Sequence, residues 1–226
     1  MPVTDDFRFN VTQDILSLGI RVRCLLIVGL DNLYEDSVFE QYRKEELAKI
    51  KATLSEGSIQ ADPVLSGFRE MHKRIGKTGK RWTSSPENLK RMLLESQTLV
   101  AINKVVSIYN LVSLKSSLAL GAHDLDKIVG NVTLRLTTGT EKFWPIGAKE
   151  PEKVSQGEYA YCDDANDVIC RMEVRQVEKT KVLPHTKNIF FIVQGNQNTS
   201  DEEISHASGE LARLITDCAG GRCIAL

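Results

Sequence analysis

Ile189-Phe190-Phe191-Ile192-Val193 is five apolar residues without a break, all β-branched or aromatic. A run this short with that composition predicts a strand covered on both faces, and so the centre of a sheet. Ser200 and Glu203 follow as a capping-box pair. Behind them Ile204, Ala207, Leu211, Leu214 and Cys218 form the apolar stripe of a helix over about 201–217, which Gly220-Gly221 ends. Ahead of the run the period is two. Val132, Leu134 and Leu136 alternate with Thr133, Arg135 and Thr137, a half-buried strand turned by Thr138-Gly139-Thr140. Tyr159–Cys162 and Val168–Arg171 read as a hairpin around Asp163-Asp164-Ala165-Asn166.

Further towards the start the period becomes helical. After a strand over 21–28 that stops at Gly29, a helix is expected over 38–54, with Phe39, Tyr42, Leu47, Ile50 and Leu54 near one face. Pro63 opens a short helix over about 64–75, weakened by Gly67 and stopped by Gly76. Ser85-Pro86-Glu87 starts another, with Ser85 as the expected cap. Residues 103–118 carry two apolar faces, as a largely buried helix does. The order is helices to about 118, sheet over 119–200, then a closing helix. This predicts a single α+β domain over 1–226.

With 226 residues the chain can bury a core without staples. Its net charge of −1 excludes a globally basic nucleic-acid coat but leaves room for a local basic patch. No apolar run approaches the roughly 20 residues that span a bilayer, and the opening Met1-Pro2-Val3-Thr4-Asp5-Asp6 has no basic n-region, so neither membrane span nor secretory signal is expected. Five cysteines, an odd number without CxxC spacing, suit free thiols in a reducing cytoplasm. Four histidines without HxxxH or HxH pairing give no metal site, and with no GxSxG, P-loop or GxGxxG no metal or cofactor is expected.

Three stretches could carry chemistry. In His123-Asp124-Leu125-Asp126 two carboxylates beside an imidazole suit acid–base work, or one aspartate caps a helix. The loop over 72–82 holds Lys73, Arg74, Lys77, Lys80 and Arg81 without an acid and ends in Trp82. It suits phosphate contact plus stacking, or is simply solvated. Arg171, Glu173 and Arg175 alternate, either as salt bridges on a solvated strand face or as the wall of a polar pocket.

Several segments together carry a family resemblance. Asn103–Asn110, Leu120–Ile128 and Glu178–Val182 through Thr186–Ile189 resemble the B3/B4 domain of the bacterial phenylalanyl-tRNA synthetase beta subunit. Ser85–Arg91, Tyr109–Leu114, Gly157-Glu158 with Asp163-Asp164, Cys170-Arg171 and Arg175-Gln176 look closer to the freestanding B3/B4 proteins. The resemblance implies a three-layer α+β core containing a β-sandwich of unusual topology. In the synthetase this domain hydrolyses a wrong amino acid, typically tyrosine, off the tRNA. Such a second site is needed because an apolar pocket rejects a near-isostere only about 10–200-fold. This chain lacks the length of an aminoacylation core and so resembles a trans-editing factor with misacylated tRNA as partner; the alternatives are a non-catalytic tRNA- or aminoacyl-binding module and a small-molecule binding protein. By resemblance Glu178 falls at the family's recognition glutamate, Asn110 at the Asn of Val-Thr-Asn, and Thr186 and Asn188 at a Thr-x-Asn. Gly121 replaces the editing histidine, His123 stands two residues later, and Gln176 and Val177 replace twin glycines. The expected pocket comprises Glu178, His123 and Asn110 as catalytic groups, with Gly121, Arg171, Arg175, Gln176, Thr186 and Asn188 binding substrate.

Overall fold

The computed structural model describes residues 6–33, 37–96 and 99–226; residues 1–5, read above for a secretory signal, lie outside them. In chain order the elements are β1 (Phe9–Val11), α1 (Gln13–Ser17), β2 (Arg21–Val28), α2 (Ser37–Thr53), α3 (Glu56–Ala61), α4 (Pro63–Arg74), α5 (Ser85–Glu95), α6 (Lys104–Ser116), β3 (Ala119–Asp124), β4 (Val132–Leu136), β5 (Tyr159–Asp163), β6 (Val168–Arg171), β7 (Arg175–Gln176), β8 (Asn188–Gly195), α7 (Asp201–Ala219) and β9 (Arg222–Ala225). Two sheets form, β1-β4-β5-β6-β7 and β3-β8-β2-β9. Among the named strands of the described residues, β1–β4 is the one parallel pairing.

The run that predicted a central strand is β8, paired to β2 on one side and β3 on the other. Its two faces do different work. Phe190 meets Phe9 of the first sheet and Phe7 just ahead of it, at ring separations of 5.9 and 5.3 Å. Residues of opposite parity face α6 and α7, which pack on the other side of this sheet. The result is three layers: sheet, sheet, helices. One continuous apolar core runs through them. Each wholly buried phenyl ring in it stabilises by about 1.5–3 kcal/mol.

Four expectations need correction. The part before residue 119 holds more strand than expected: β2 is the strand read over 21–28, and β1 adds another. His123–Asp126 does not start an α-helix. Ala119–Asp124 is a strand, and Asp124 caps only the 3-10 turn Leu125–Lys127 through its bond from the Asp126 N–H. Gly220 caps α7 where the helix was expected to stop, but the helix does not close the fold: the double glycine turns the chain back, so that β9 pairs with the outer edge of β2. Gly221 has φ +91°, and a Cβ there would lie 3.0 Å from the Val28 carbonyl. Finally, Ser84 rather than Ser85 occupies the cap position of α5 and makes no side-chain cap bond; Pro86, in the first turn, has no N–H to offer it.

Gly67 illustrates a glycine whose helix penalty is outweighed. A Cβ there would stand 2.0 Å from Asn196 Oδ1. Asn196 is buried, donates to the Val64 carbonyl at 2.8 Å and accepts from the Asn198 N–H at 3.0 Å, so it cannot swing away. Helix propensity alone would make Gly67→Ala a gain of about 1 kcal/mol. The overpacking costs about 1–3 kcal/mol. Gly67→Ala is therefore expected to lower the urea midpoint, and a raised midpoint would show that Asn196 moves freely.

Candidate functional site: a cleft between the sheets and α5

A cleft of about 310 Å³ opens where α5 and α6 cross the open end of the sandwich. Leu89 and Met92 of α5 and Tyr109 of α6 give one apolar wall; β3 and β7 give the other through Gly121 and Gln176. Ile192 and Gln194 of β8 and Tyr161 of β5 form the floor. Parity explains these choices. Gly121 pairs with Ile192, so both face the first sheet, together with Gln194 two residues on.

The floor carries a buried polar chain. Tyr161 OH donates to Gln194 Oε1 at 2.6 Å, and Gln194 Nε2 donates to Glu173 Oε2 at 3.1 Å. Tyr159 OH donates to the same carboxylate, and the His72 imidazole forms an ion pair with it. His72 Nδ1 in turn contacts the Trp82 carbonyl at 2.6 Å. Burial works against a charged His72, but the adjacent Glu173 carboxylate outweighs it and raises the imidazole above its ordinary range. Burial likewise opposes the Glu173 charge, and His72 with the Tyr159 hydroxyl holds that carboxyl below its usual range. The carboxylate is brought inward by a tight turn. Met172 adopts φ +54°, a conformation uncommon for a non-glycine residue.

That turn also corrects the alternating-charge reading. β6 ends at Arg171 and β7 begins at Arg175, so these residues pair across a hairpin rather than share a continuous strand. Arg171 makes a bidentate bond to buried Glu158, at 2.6 and 2.8 Å, and lies over the Trp82 ring at 4.9 Å. Arg175 donates to Glu152 at 2.9 Å. Only Glu173 points into the interior network.

Of the residues the sequence singled out, Asn110, Gly121, Arg175 and Gln176 come together in the cleft. His123 stands behind Gly121 on the same face of β3, wholly buried, with Nδ1 2.9 Å from Thr180 Oγ1. Glu178 is not brought there: it is partly exposed and paired with Lys181. Thr186 and Asn188 are not either. They donate to Asp124 at 2.9 Å and Asp126 at 3.0 Å and so fasten the end of β3. Arg171 belongs to the Glu158 cluster. In the basic loop Lys77 reaches Glu158 at 2.5 Å, Arg81 reaches Glu152 at 2.8 Å and Arg74 donates to the Leu18 carbonyl at 3.3 Å. Lys73 and Lys80 remain exposed. The cysteines in the hairpin are core thiols. Burial pushes Cys162 up to about 12, and Cys170, also raised by burial, donates to the Met172 carbonyl.

His72, Tyr161 and Gln194 were not expected at the site. His72 had a signal. It follows Val64, Leu65, Phe68 and Met71 on the inner face of α4, where a lone imidazole requires a partner.

Comparison with known proteins places this geometry in a family. The B3/4 domain family matches residues 67–218, and the chain belongs to it. Similar proteins include phenylalanine--tRNA ligase beta subunits. That of Mycoplasma genitalium is 33% identical over 117 residues, 51% of this chain and 14% of the relative. That of Fusobacterium nucleatum is 31% identical over 135 residues, 60% of this chain and 16% of the relative. The chain is thus a synthetase-related domain spanning about one-seventh of the length of these relatives. The fold is similar to the crystal structure of an N-terminal fragment of the phenylalanyl-tRNA synthetase beta-subunit from Pyrococcus horikoshii. The TM-score is 0.54 at 15% identity, over 97% of this chain and 50% of that one.

Proposed function

We propose that the chain is a trans-editing hydrolase that cleaves the ester between a misattached amino acid and the terminal ribose of tRNA. The observation that carries this reading is the cleft itself. It is apolar-walled, about the volume of a small ligand site, and has a few converging amides over a rigid polar floor. Water adds to the ester carbonyl, the carbonyl carbon–ribose oxygen bond breaks, and the proton ends on the ribose oxygen. On this reading Asn110, which lines the cleft from α6, half-buried and without a side-chain hydrogen bond among the described residues, donates to the developing oxyanion. Cys170 is not the nucleophile on this reading, because its thiol is raised by burial and already spent on a carbonyl.

One observation favours a second reading, a non-catalytic aminoacyl- or tRNA-binding module. The buried carboxylate of the cleft is committed to His72 and Tyr159, which leaves no unengaged carboxylate base on its floor. A panel of misacylated tRNAs separates the two. Release of amino acid that depends on the protein supports the hydrolase; binding without release supports the module.

The tRNA backbone would meet Lys73, Arg74, Lys80 and Arg81, the exposed cations of the loop. Replacing Lys80 and Arg81 by Ala should lower the slope of log affinity against log salt by roughly 0.7–0.9 for each phosphate no longer neutralised. An unchanged slope would return the loop to solvent. Lys77→Ala should act differently and weaken the fold, since Lys77 sits on buried Glu158 and 4.8 Å from the Trp82 ring centre.

A further inference from the structure

A second hollow, of about 460 Å³, lies along the segment 142–154 and shares no lining residue with the cleft. Backbone bonds set its shape. The Lys142 N–H donates to the Asn166 carbonyl and the Val168 N–H to the Lys142 carbonyl, which holds the segment beside β6. The Glu178 N–H donates to the Trp144 carbonyl at 2.9 Å and the Glu152 N–H to the Phe143 carbonyl at 2.8 Å. Phe143, Val154 and Val177, all buried, give the hollow an apolar floor, and half-exposed Trp144 stands in its wall. The indole Nε1 donates to the Ala148 carbonyl at 2.9 Å, so the ring is set in place before any ligand arrives. Around the rim every acid is already met. Glu141 accepts from Arg135 at 2.7 Å and from the Thr138 and Gly139 N–H groups; burial opposes its charge, but these bonds hold it down to about 2. Glu152 accepts from Arg81 at 2.8 Å and Arg175 at 2.9 Å, and Asp167 from Lys179 at 2.6 Å. The cations are not all met. Lys153 is exposed and has no hydrogen bond or ion pair among the described residues, and Lys142 reaches Asp167 only at 3.8 Å.

We propose that this hollow binds one nucleotide unit, its base against Trp144 and its phosphate on Lys142 and Lys153. The site lies outside the cleft and stands whether or not the cleft hydrolyses an ester. What is left unmet decides the ligand. An apolar floor with an indole in the wall suits a flat uncharged ring, and the unmet ammonium groups suit an anion attached to it. A phosphate offers several acceptor oxygens, enough for two ammonium groups. An aromatic amino acid also has a flat body, but its own ammonium would meet Lys142 and Lys153. An inorganic phosphate would leave the floor and the indole uncovered. A cationic ligand would find no unengaged carboxylate on the rim. The volume lies within the range of small-ligand sites, about 300–1,000 Å³. The recognising groups are the same whether the nucleotide is free or a link in a single strand of RNA, and the test separates these two sources.

Calorimetry and quenching of tryptophan fluorescence test this with AMP, CMP and a single-stranded RNA trinucleotide of the same bases. At least one of them is expected to bind about 10-fold tighter than adenosine or cytidine, which lack the phosphate, and than ribose 5-phosphate, which lacks the base. Trp144→Ala should weaken that binding about 5-fold or more, as loss of one stacking ring does, while Trp144→Phe keeps part of it. The quench should vanish in Trp144→Phe although Trp82 is still present. Lys153→Ala should weaken binding about 2–5-fold at low salt and less at high salt. Both positions are exposed, so native urea midpoints in these variants separate lost binding from a lost fold. A monophosphate that binds as tightly as the trinucleotide identifies a site for free nucleotides; binding by the trinucleotide alone identifies a site for a strand. Ribose 5-phosphate binding as well as AMP, native affinity in Trp144→Ala, or no binding by any of the three overturns the proposal. A cleft that releases no amino acid from misacylated tRNA removes the hydrolase reading and leaves this site standing.

Discussion

Glu173→Ala is expected to cost the fold about 3–5 kcal/mol, the usual penalty for removing one partner of a buried ion pair. Three groups lose their partner together: the His72 imidazole, the Tyr159 hydroxyl and the Gln194 amide. Against a typical domain stability of about 5–15 kcal/mol, that loss is large enough to unfold much of the protein on mild warming. The pH dependence distinguishes an ion pair from ordinary packing. Glu173 is lowered on folding, so its contribution is present above the unfolded carboxylate value of about 4.3 and is lost as pH falls through the folded one. His72 is raised, so its contribution is complete below about 6.5 and is lost as pH rises through the folded value. Stability from the pair should therefore peak between about pH 4.3 and 6.5 and decline on both sides. Urea midpoints between pH 4 and 9 would show this dome in the native protein and a flatter profile in Glu173→Ala. His72→Leu combined with Glu173→Gln should recover part of the stability, because no uncompensated charge then remains. A Glu173→Ala variant as stable as the native protein would show that the pair does not hold the floor.

The parts of this fold legible in the sequence are those with a local signal. β8 announced itself by an unbroken apolar run, α7 by its Ser200–Glu203 capping box, and the β5–β6 hairpin by strands flanking Asp163–Asn166. β3 was not legible. Ala119–Asp124 is buried on both faces, so nothing alternates, and half its residues are too small to register as strand formers. β9 is four residues behind two glycines, with no pattern long enough to read. The site divides in the same way. The resemblance reached Asn110, Gly121, Arg175 and Gln176 because they lie in recognisable segments. The His72–Glu173 pair joins α4 to a turn between β6 and β7, a contact set by tertiary structure alone. Glu178 shows how a short element misleads. Were β7 longer, Glu178 would share a face with Gln176 two residues before it. The regular strand stops at Gln176, and the carboxylate ends on the surface beside Lys181.

That difference yields the second large effect. Asn110→Ala should reduce the turnover of misacylated tRNA by about 10²–10³-fold, the range seen when one oxyanion donor is removed. The reduction should fall on kcat with little change in KM, because the amide is asked to bond the oxyanion more strongly than the ester carbonyl. The fold should tolerate the change, since Asn110 is half-buried and its side chain holds no other element. Glu178→Ala is the paired control. Lys181, hydrogen-bonded to it, holds the carboxyl below its usual range, and neither residue lines the cleft. Turnover in Glu178→Ala should stay at the native rate. The two variants together locate the chemistry. If Glu178→Ala loses turnover and Asn110→Ala does not, the recognition glutamate of the resemblance acts from outside this cleft. The hydrolytic centre would then have to be sought around the 144–148 loop that Glu178 contacts through its bond to the Trp144 carbonyl.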